Sequence, residues 1–237
     1  MTTVPTPPVS ETKTLANDAW RRALLLLYGL CVAVILLRMV ALIQRDGLLP
    51  GDLEATLALQ SIAAPWFKEL MVAVSIFGWS PWSVLSVVAA ASLVTLWLGY
   101  KSGLYLAGIV GLQALVNYII KELVARPRPT DPPVWVYSPE AGFSFPSGHV
   151  MFYTVFFGFL LFLAWRYLKS GWPRALVITL LAIPILLVGF SRIYLGAHWL
   201  SDVVAGYLLG GLILWVGIEV YLSIPVVAAS QTSSDRP

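Results

Sequence analysis

The 237-residue chain holds one cysteine, Cys31, and two histidines, His149 and His198. A single cysteine excludes an internal disulfide and any cysteine-rich metal site. Charge is scarce as well: 11% of the residues are charged, against roughly 25% in a soluble domain. The net charge is +3 and Lys and Arg form no dense run, which argues against a nucleic-acid partner. What fills the chain instead is apolar, with 59% hydrophobic residues and a mean hydropathy of +0.82. A soluble fold has no place for so much apolar surface, and a disordered chain does not carry it. The expected class is all-α: a polytopic membrane helix bundle in contact with the lipid bilayer.

A spanning helix needs about 20 mostly apolar residues. Stretches between charges give six candidate spans, near 20–43, 82–99, 103–124, 149–168, 175–195 and 199–223. The longest uncharged stretch, between Glu69 and Lys101, is broken at Gly78-Trp79-Ser80-Pro81, because glycine and proline together interrupt a helix. Ahead of the break, residues 52–77 mix Asp52, Glu54, Lys68 and Glu69 with apolar residues. That pattern predicts amphipathic helices at the interface, with a re-entrant segment as the competing reading. Residues 1–19 and 225–237 are polar and predict disordered tails, flanking a membrane domain over 20–224. Arg21-Arg22 before an apolar run resembles a signal peptide, but no small-residue cleavage site follows, so the first span is read as uncleaved.

Lys and Arg in short loops set orientation. With the N-terminus inside, eight of the fifteen Lys and Arg face the cytoplasm and seven face the other side. Lys121, Arg128 and Arg192 have a separate use, argued next. Without those three the outer count falls from seven to four, and both termini are placed in the cytoplasm.

On this topology the unusual polar residues collect at one depth on the outer side. Lys121 ends span three, Arg126 and Arg128 open the following loop, and Pro146-Ser147-Gly148-His149 opens span four. Ser191-Arg192 ends span five, and His198 and Asp202 begin span six. Ionisable residues at membrane depth are expensive and point to function. His198 and Asp202 are four apart and can touch on a helix, where a carboxylate fixes the ring tautomer; an ordinary interfacial helix pair also fits. The start of span four offers unpaired amides and positive potential to an anion, although Ser147 also reads as a plain helix cap. Lys121, Arg128 and Arg192 beside two histidines would repel a metal cation and suit an oxyanion. Each alone also reads as a helix-end anchor in the headgroup region.

Taken together, Lys121-x6-Arg128-Pro129, Pro146-Ser147-Gly148-His149 and Ser191-Arg192-x5-His198-x3-Asp202 resemble the three-part signature of the type 2 phosphatidic acid phosphatase family. That family is similar in its active site to vanadium haloperoxidases. The match covers about residues 100–222, with the motifs over 121–202, and the six-span arrangement resembles the membrane members. The resemblance implies that His198 attacks phosphorus to form a phosphohistidine and that Asp202 orients it. It implies that His149 is the general acid, then helps activate water. Lys121, Arg128, Ser147, Gly148 and Arg192 would hold the phosphate, with no metal and no cofactor. Arg126 would contact the headgroup or only the interface.

Depth adds the substrate class: a site at the interface faces lipid phosphates, such as phosphatidic acid, phosphatidylglycerophosphate or a polyprenyl diphosphate. The expected setting is a plasma membrane, with the site on the extracytoplasmic side. Transfer to another lipid through the same intermediate, or phosphate binding and transport without chemistry, would use the same cations. A soluble haloperoxidase does not fit six apolar spans. The loop 130–145, with Trp135, Tyr137 and Phe143, would overhang the site. The small residues Ala89, Ala90 and Ala91 and the Gly206/Gly210/Gly211 series permit close packing within one chain or between two; the oligomeric state is not readable.

The topology is open to a direct test. In a Cys31→Ser background, Ser138→Cys is expected to react with a membrane-impermeant maleimide added to intact cells; labelling only after permeabilisation overturns it.

Overall fold

The computed structural model describes residues 9–224, with side chains from Ala19 onward. Eight α-helices run in the order α1 (Val9–Asp46), α2 (Asp52–Gln60), α3 (Pro65–Ser75), α4 (Trp82–Leu98), α5 (Tyr100–Val124), α6 (Gly148–Tyr167), α7 (Trp172–Tyr194) and α8 (Leu200–Ser223). A 3₁₀ turn, Ile76–Gly78, follows α3. There is no strand among the described residues. By length and composition five helices can cross a membrane, and a sixth crossing arises if α3 and α4, bent by 61° at the break, count as one. The chain is thus a multi-pass membrane helix bundle, as its composition required.

Boundaries follow local chemistry. Gly99, at φ +90, separates α4 from α5, and Ala125 ends α5 in the left-handed conformation. Pro173 sits in the first turn of α7 and Pro65 in that of α3, where a missing N–H costs nothing. The loop 125–147 is too rich in proline to continue a helix. The first helix begins at Val9, well ahead of the expected start near 20. Extending an existing helix is cheap compared with nucleating one, so α1 continues through part of the polar stretch read as a disordered tail. The expectations for 1–8 and 225–237 lie outside the described residues.

The helix α6 is the axis of the bundle, buried continuously from His149 to Phe159. Its aromatic face stacks Phe152 on Phe156 at 5.1 Å and sets Phe159 edge-on to Tyr221 of α8 at 5.3 Å. Outward faces are apolar too: Leu26, Leu96, Leu104 and Leu186 are exposed, as lipid-facing side chains should be. In lipid there is little hydrophobic force between helices, so close contact and hydrogen bonds must join them. The glycines of α8 give the contact. A Cβ on Gly206 would lie 3.0 Å from the Ser147 carbonyl oxygen, and one on Gly210 would lie 2.9 Å from Thr154 Cβ. The glycine series packs within this chain.

Hydrogen bonds supply the rest. Tyr105 donates to the Gly217 carbonyl at 2.6 Å, and Ser102 pairs with Tyr221 at 2.9 Å. Tyr207 of α8 donates to the Ile185 carbonyl at 2.6 Å and accepts from the Gly189 amide at 3.2 Å. Those two backbone groups are the partners of one rung in α7, close after Pro184.

The helices α2 and α3 pack against α7, and α2 also against α8. Here the structure corrects the reading of Arg126. It is fully buried and bridges Asp52 of α2 and Asp202 of α8, each at 2.6 Å. A guanidinium with its hydrogens placed on two carboxylates, the Ser201 hydroxyl and the Gly47 carbonyl has nothing left for a headgroup. Asp52 also accepts from the Ser201 amide at 2.8 Å, satisfying a first-turn N–H of α8.

Arg126→Leu would strand two buried carboxylates, a loss of about 3–5 kcal/mol. The expected outcome is a clearly lower thermal unfolding temperature in detergent, with Asp52→Asn falling between that variant and wild type.

Candidate active site

Three loop-to-helix junctions build the site. The first is the end of α5 with the loop 125–147, the second the start of α6, and the third the end of α7 with the short loop 195–199 into α8. The backbone ties the last two together, the Ser147 amide donating to the Asp202 carbonyl at 3.0 Å. Asn117 of α5 donates to the Pro146 carbonyl at 3.2 Å, fixing the entry to α6.

His198 lies in the loop before α8, not on the helix, and Asp202 is in the first turn. They still meet, Nδ1 standing 3.5 Å from Asp202 Oδ2. The i, i+4 expectation found the right contact on the wrong geometry. Ser144 stands beside the pair, donating to Asp202 Oδ2 and lying 3.3 Å from His198 Nδ1. On the other edge of the ring, Arg128 Nη1 lies 3.3 Å from Nε2. Arginine can only donate, so Nε2 is the acceptor and the proton sits on Nδ1. The relay is therefore His198 Nδ1–H to Ser144 Oγ, and Ser144 to Asp202. Burial, then the charges of Arg128, Lys121 and Arg192, push the His198 imidazole well below its usual range, with Glu140 opposing. His198 is thus neutral at neutral pH, with the Nε2 lone pair turned toward Arg128.

Asp202 is held from four directions: Arg126 on Oδ1, and on Oδ2 the Trp199 amide at 2.9 Å, Ser144 and the His198 ring. It has no freedom to turn away from the imidazole.

Arg192 is fully buried at the end of α7. Its Nη1 donates to Ser75 Oγ at 3.1 Å, Ser75 pairs with Ser191, and Ser191 donates to the Met71 carbonyl at 2.6 Å. The chain of hydroxyls fastens the arginine to α3. Its Nη2 pairs with Glu140, whose second oxygen lies 3.1 Å from Arg128 Nη1. Trp79 Nε1 donates to the same carboxylate at 3.0 Å. Burial raises the Glu140 pKa, but Arg192, His198, the Trp79 bond and Arg128 outweigh it and hold the carboxyl down at about 2.

Of the residues picked from sequence, Arg128, His198 and Asp202 are in direct contact, the Ser147 amide reaches Asp202, and Arg192 meets Arg128 through Glu140; Gly148 and His149 follow Ser147 at the start of α6. Lys121 points its ammonium at the Phe143 and Ser144 carbonyls. Ser147 makes no side-chain cap on α6, so the plain cap reading fails. Its Oγ, His149 Nε2 and Arg192 Nε are buried atoms without a protein partner. Gly148 abuts Asn117, where a Cβ would stand 2.9 Å from Oδ1.

Sequence reasoning missed Ser75, Gly78, Trp79, Glu140 and Ser144. The Gly78–Pro81 break was read as punctuation, yet it is the wall beside His149. A Cβ on Gly78 would lie 2.0 Å from His149 Cδ2, and Trp79 stands edge-on to the ring at 6.1 Å. Glu140 had one signal: it and Asp131 are the only acids between Glu122 and Asp202, in a stretch that otherwise gathers cations.

A family model described as the PAP2 superfamily matches residues 102–223, which contain all of these motif positions. A phosphatidylglycerophosphatase B of Bacillus subtilis is 28% identical over 179 residues, spanning 75% of this chain and 87% of that protein. An undecaprenyl-diphosphatase of the same organism is 38% identical over 125 residues, 49% of this chain and 59% of that one. Among solved structures, a transmembrane PAP2-type phosphatidylglycerolphosphate phosphatase from Bacillus subtilis superposes with a TM-score of 0.72 at 26% identity, covering 82% of this chain and 96% of that chain.

Ser144→Ala removes the relay between ring and carboxylate while leaving every cation in place. Phosphate release is expected to fall about tenfold in kcat, the worth of one buried hydrogen bond, with little change in KM. Because His198 takes up a proton only at a pH below the ordinary histidine value of about 6.5, the acid-side loss of kcat/KM that reports it lies below that pH.

Proposed function

The chain belongs to the PAP2 superfamily, and from that premise we propose that this membrane phosphatase releases phosphate from lipid phosphates through a phosphohistidine on His198. The observation that carries the reading is the set of three buried, unpartnered atoms, Ser147 Oγ, His149 Nε2 and Arg192 Nε, on residues gathered with His198 at one end of the bundle. A buried polar atom without a partner is costly, and a phosphate would satisfy all three at once.

In this reading the phosphoryl group lies against the start of α6, where the Gly148 amide and the helix dipole favour anions. Arg128, Arg192 and Lys121 take its oxygens, Lys121 turning from the loop carbonyls. His198 Nε2 forms the bond to phosphorus as the bond to the lipid oxygen breaks. His149 gives its proton to that leaving oxygen, then takes one from the water that cleaves the phosphohistidine. Ser144 and Asp202 hold the imidazole and stabilise its positive charge. Phosphoryl transfer asks chiefly for positioning and charge stabilisation, and these fixed cations supply both without a metal.

The substrates are membrane lipids. An apolar groove of about 520 Å³ between α1 and α5, lined by Leu36, Val40, Ile120, Leu123 and Phe145, adjoins the Phe145-Pro146 entry to the site and suits an acyl or prenyl tail. The similarity to enzymes named for phosphatidylglycerophosphate and undecaprenyl diphosphate supports that class. The site faces the extracytoplasmic side of a bacterial plasma membrane, as the loop charges favour.

Purified protein in detergent is expected to release phosphate from at least one of phosphatidic acid, phosphatidylglycerophosphate and polyprenyl mono- or diphosphate. Release should persist in EDTA and vanish in His198→Ala. Loss in EDTA overturns metal independence, and unchanged release in the variant overturns the nucleophile. Phosphate appearing on an acceptor lipid instead of in solution makes the enzyme a transferase.

A further inference from the structure

Glu140 has no part in the chemistry just described, yet its carboxylate holds the centre of the phosphate pocket. One oxygen pairs with Arg192 and accepts from Trp79; the other pairs with Arg128. The two arginines come from different parts of the chain, and one anion spans them, as a phosphate would.

Charge makes the same point. The pocket and its supports hold four cations, Lys121, Arg126, Arg128 and Arg192, and three anions, Asp52, Asp202 and Glu140. Asp52 and Asp202 are committed to Arg126. Without Glu140 the count is four against two, a surplus that matches a phosphate monoester dianion. With Glu140 in place that surplus is halved.

The fit of the carboxylate is incomplete. Its two oxygens leave Ser147 Oγ, His149 Nε2 and Arg192 Nε unpartnered, and a phosphate has further oxygens to offer them. The stretch around Glu140 is also built to let go. Backbone anchors lie on either side: the Tyr137 amide on the Leu195 carbonyl at 3.0 Å, and the Ser144 amide on the Arg126 carbonyl at 2.8 Å. Between them the loop is held by side chains alone: Glu140, Arg128 Nε on the Gly142 carbonyl at 3.1 Å, and Lys121 on the Phe143 carbonyl, the cation that turns to phosphate in this reading. Gly142 is in the left-handed region, at φ +78. The Glu140 side chain is about one-fifth exposed, at 21%, against 1% for Arg192, so it has an open way out.

We propose that Glu140 is an internal ligand of the phosphate pocket, exchanging with phosphate at Arg128 and Arg192 in every turnover. The proposal rests on the assignment of those arginines to phosphate. The carboxylate keeps the two buried cations paired when no substrate is bound, withdraws as phosphate enters, and returns to displace the product. The exchange sets affinity rather than chemistry. If the carboxylate-free pocket is about a tenth of the population, the apparent dissociation constant for phosphate is about tenfold higher than the intrinsic one.

The test compares full-length wild type, Glu140→Gln and Glu140→Asp in detergent. It reads the Ki of inorganic phosphate against phosphatidylglycerophosphate hydrolysis, the Kd of inorganic phosphate by titration calorimetry, and thermal unfolding. Glu140→Gln keeps the shape and removes the charge, so Ki, Kd and KM should all fall by about fivefold or more, with kcat unchanged or lower as product leaves more slowly. Glu140→Asp is one methylene too short to span both arginines and should shift the same constants in the same direction by less. Constants that stay the same or rise in both variants overturn the proposal, and make Glu140 a brace for the arginines. Arg192→Gln separates the underlying assignment: it should bind inorganic phosphate many-fold more weakly than wild type. Equal binding in Arg192→Gln and wild type refutes the phosphate assignment, and the proposal with it.

Discussion

Four cations packed into one end of an apolar helix bundle are the constraint on which the rest of the site depends. A buried charge without a partner is among the most destabilising features a fold can carry. Each cation here is matched without closing the pocket: Arg126 by two carboxylates, Arg192 by a chain of hydroxyls and Glu140, Arg128 by carbonyls and Glu140, Lys121 by the loop backbone. Arg126 is the permanent case. Its partners are themselves used up on backbone amides at the start of α8 and its approach, so the ion pairs and the helix start stabilise one another. The other three have partners that can be given up.

That division maps onto the fold. Fixed parts are contributed by helices and their first turns: Asp202 on α8, Arg192 on α7, the Gly148–His149 corner on α6. Exchangeable parts are carried by the loop 125–147, which brings Arg128, Glu140 and Ser144 over the helix ends. Loops placed on a rigid frame commonly carry function. Here one hydroxyl of that loop, Ser144, reaches inward far enough to touch both His198 and Asp202.

The sequence made the bundle legible because lipid imposes a coarse rule, long apolar runs bounded by charge, and five of the six expected spans stand as long helices. The motif residues were legible because each is rare in this chain and their order and spacing are specific. What was not legible came from contacts between distant segments. Asp52 and Ser75 lie more than a hundred residues from the groups they serve on α8 and α7, Trp79 lies 61 from Glu140, and no local spacing announces them. Arg126 looked like an interfacial cation because its partner Asp52 lies 74 residues away in sequence. Ser144 is an unremarked serine until the chain folds back. Gly78 combined two meanings that sequence cannot separate: a glycine that ends a helix, and one that leaves room for an imidazole.

The hydroxyl of Tyr207 on the Ile185 carbonyl and the Gly189 amide has a mechanical consequence. In hydrocarbon no water is available to replace a lost backbone partner, so sliding α7 along α8 would break both contacts together. The last turns of α7, which end in Ser191 and Arg192, are therefore keyed to α8, which begins with the residues that steady His198. Arg192 and Asp202 are thereby carried on two helices that Tyr207 locks against sliding, so the spacing between them is set by side-chain contact within the bundle.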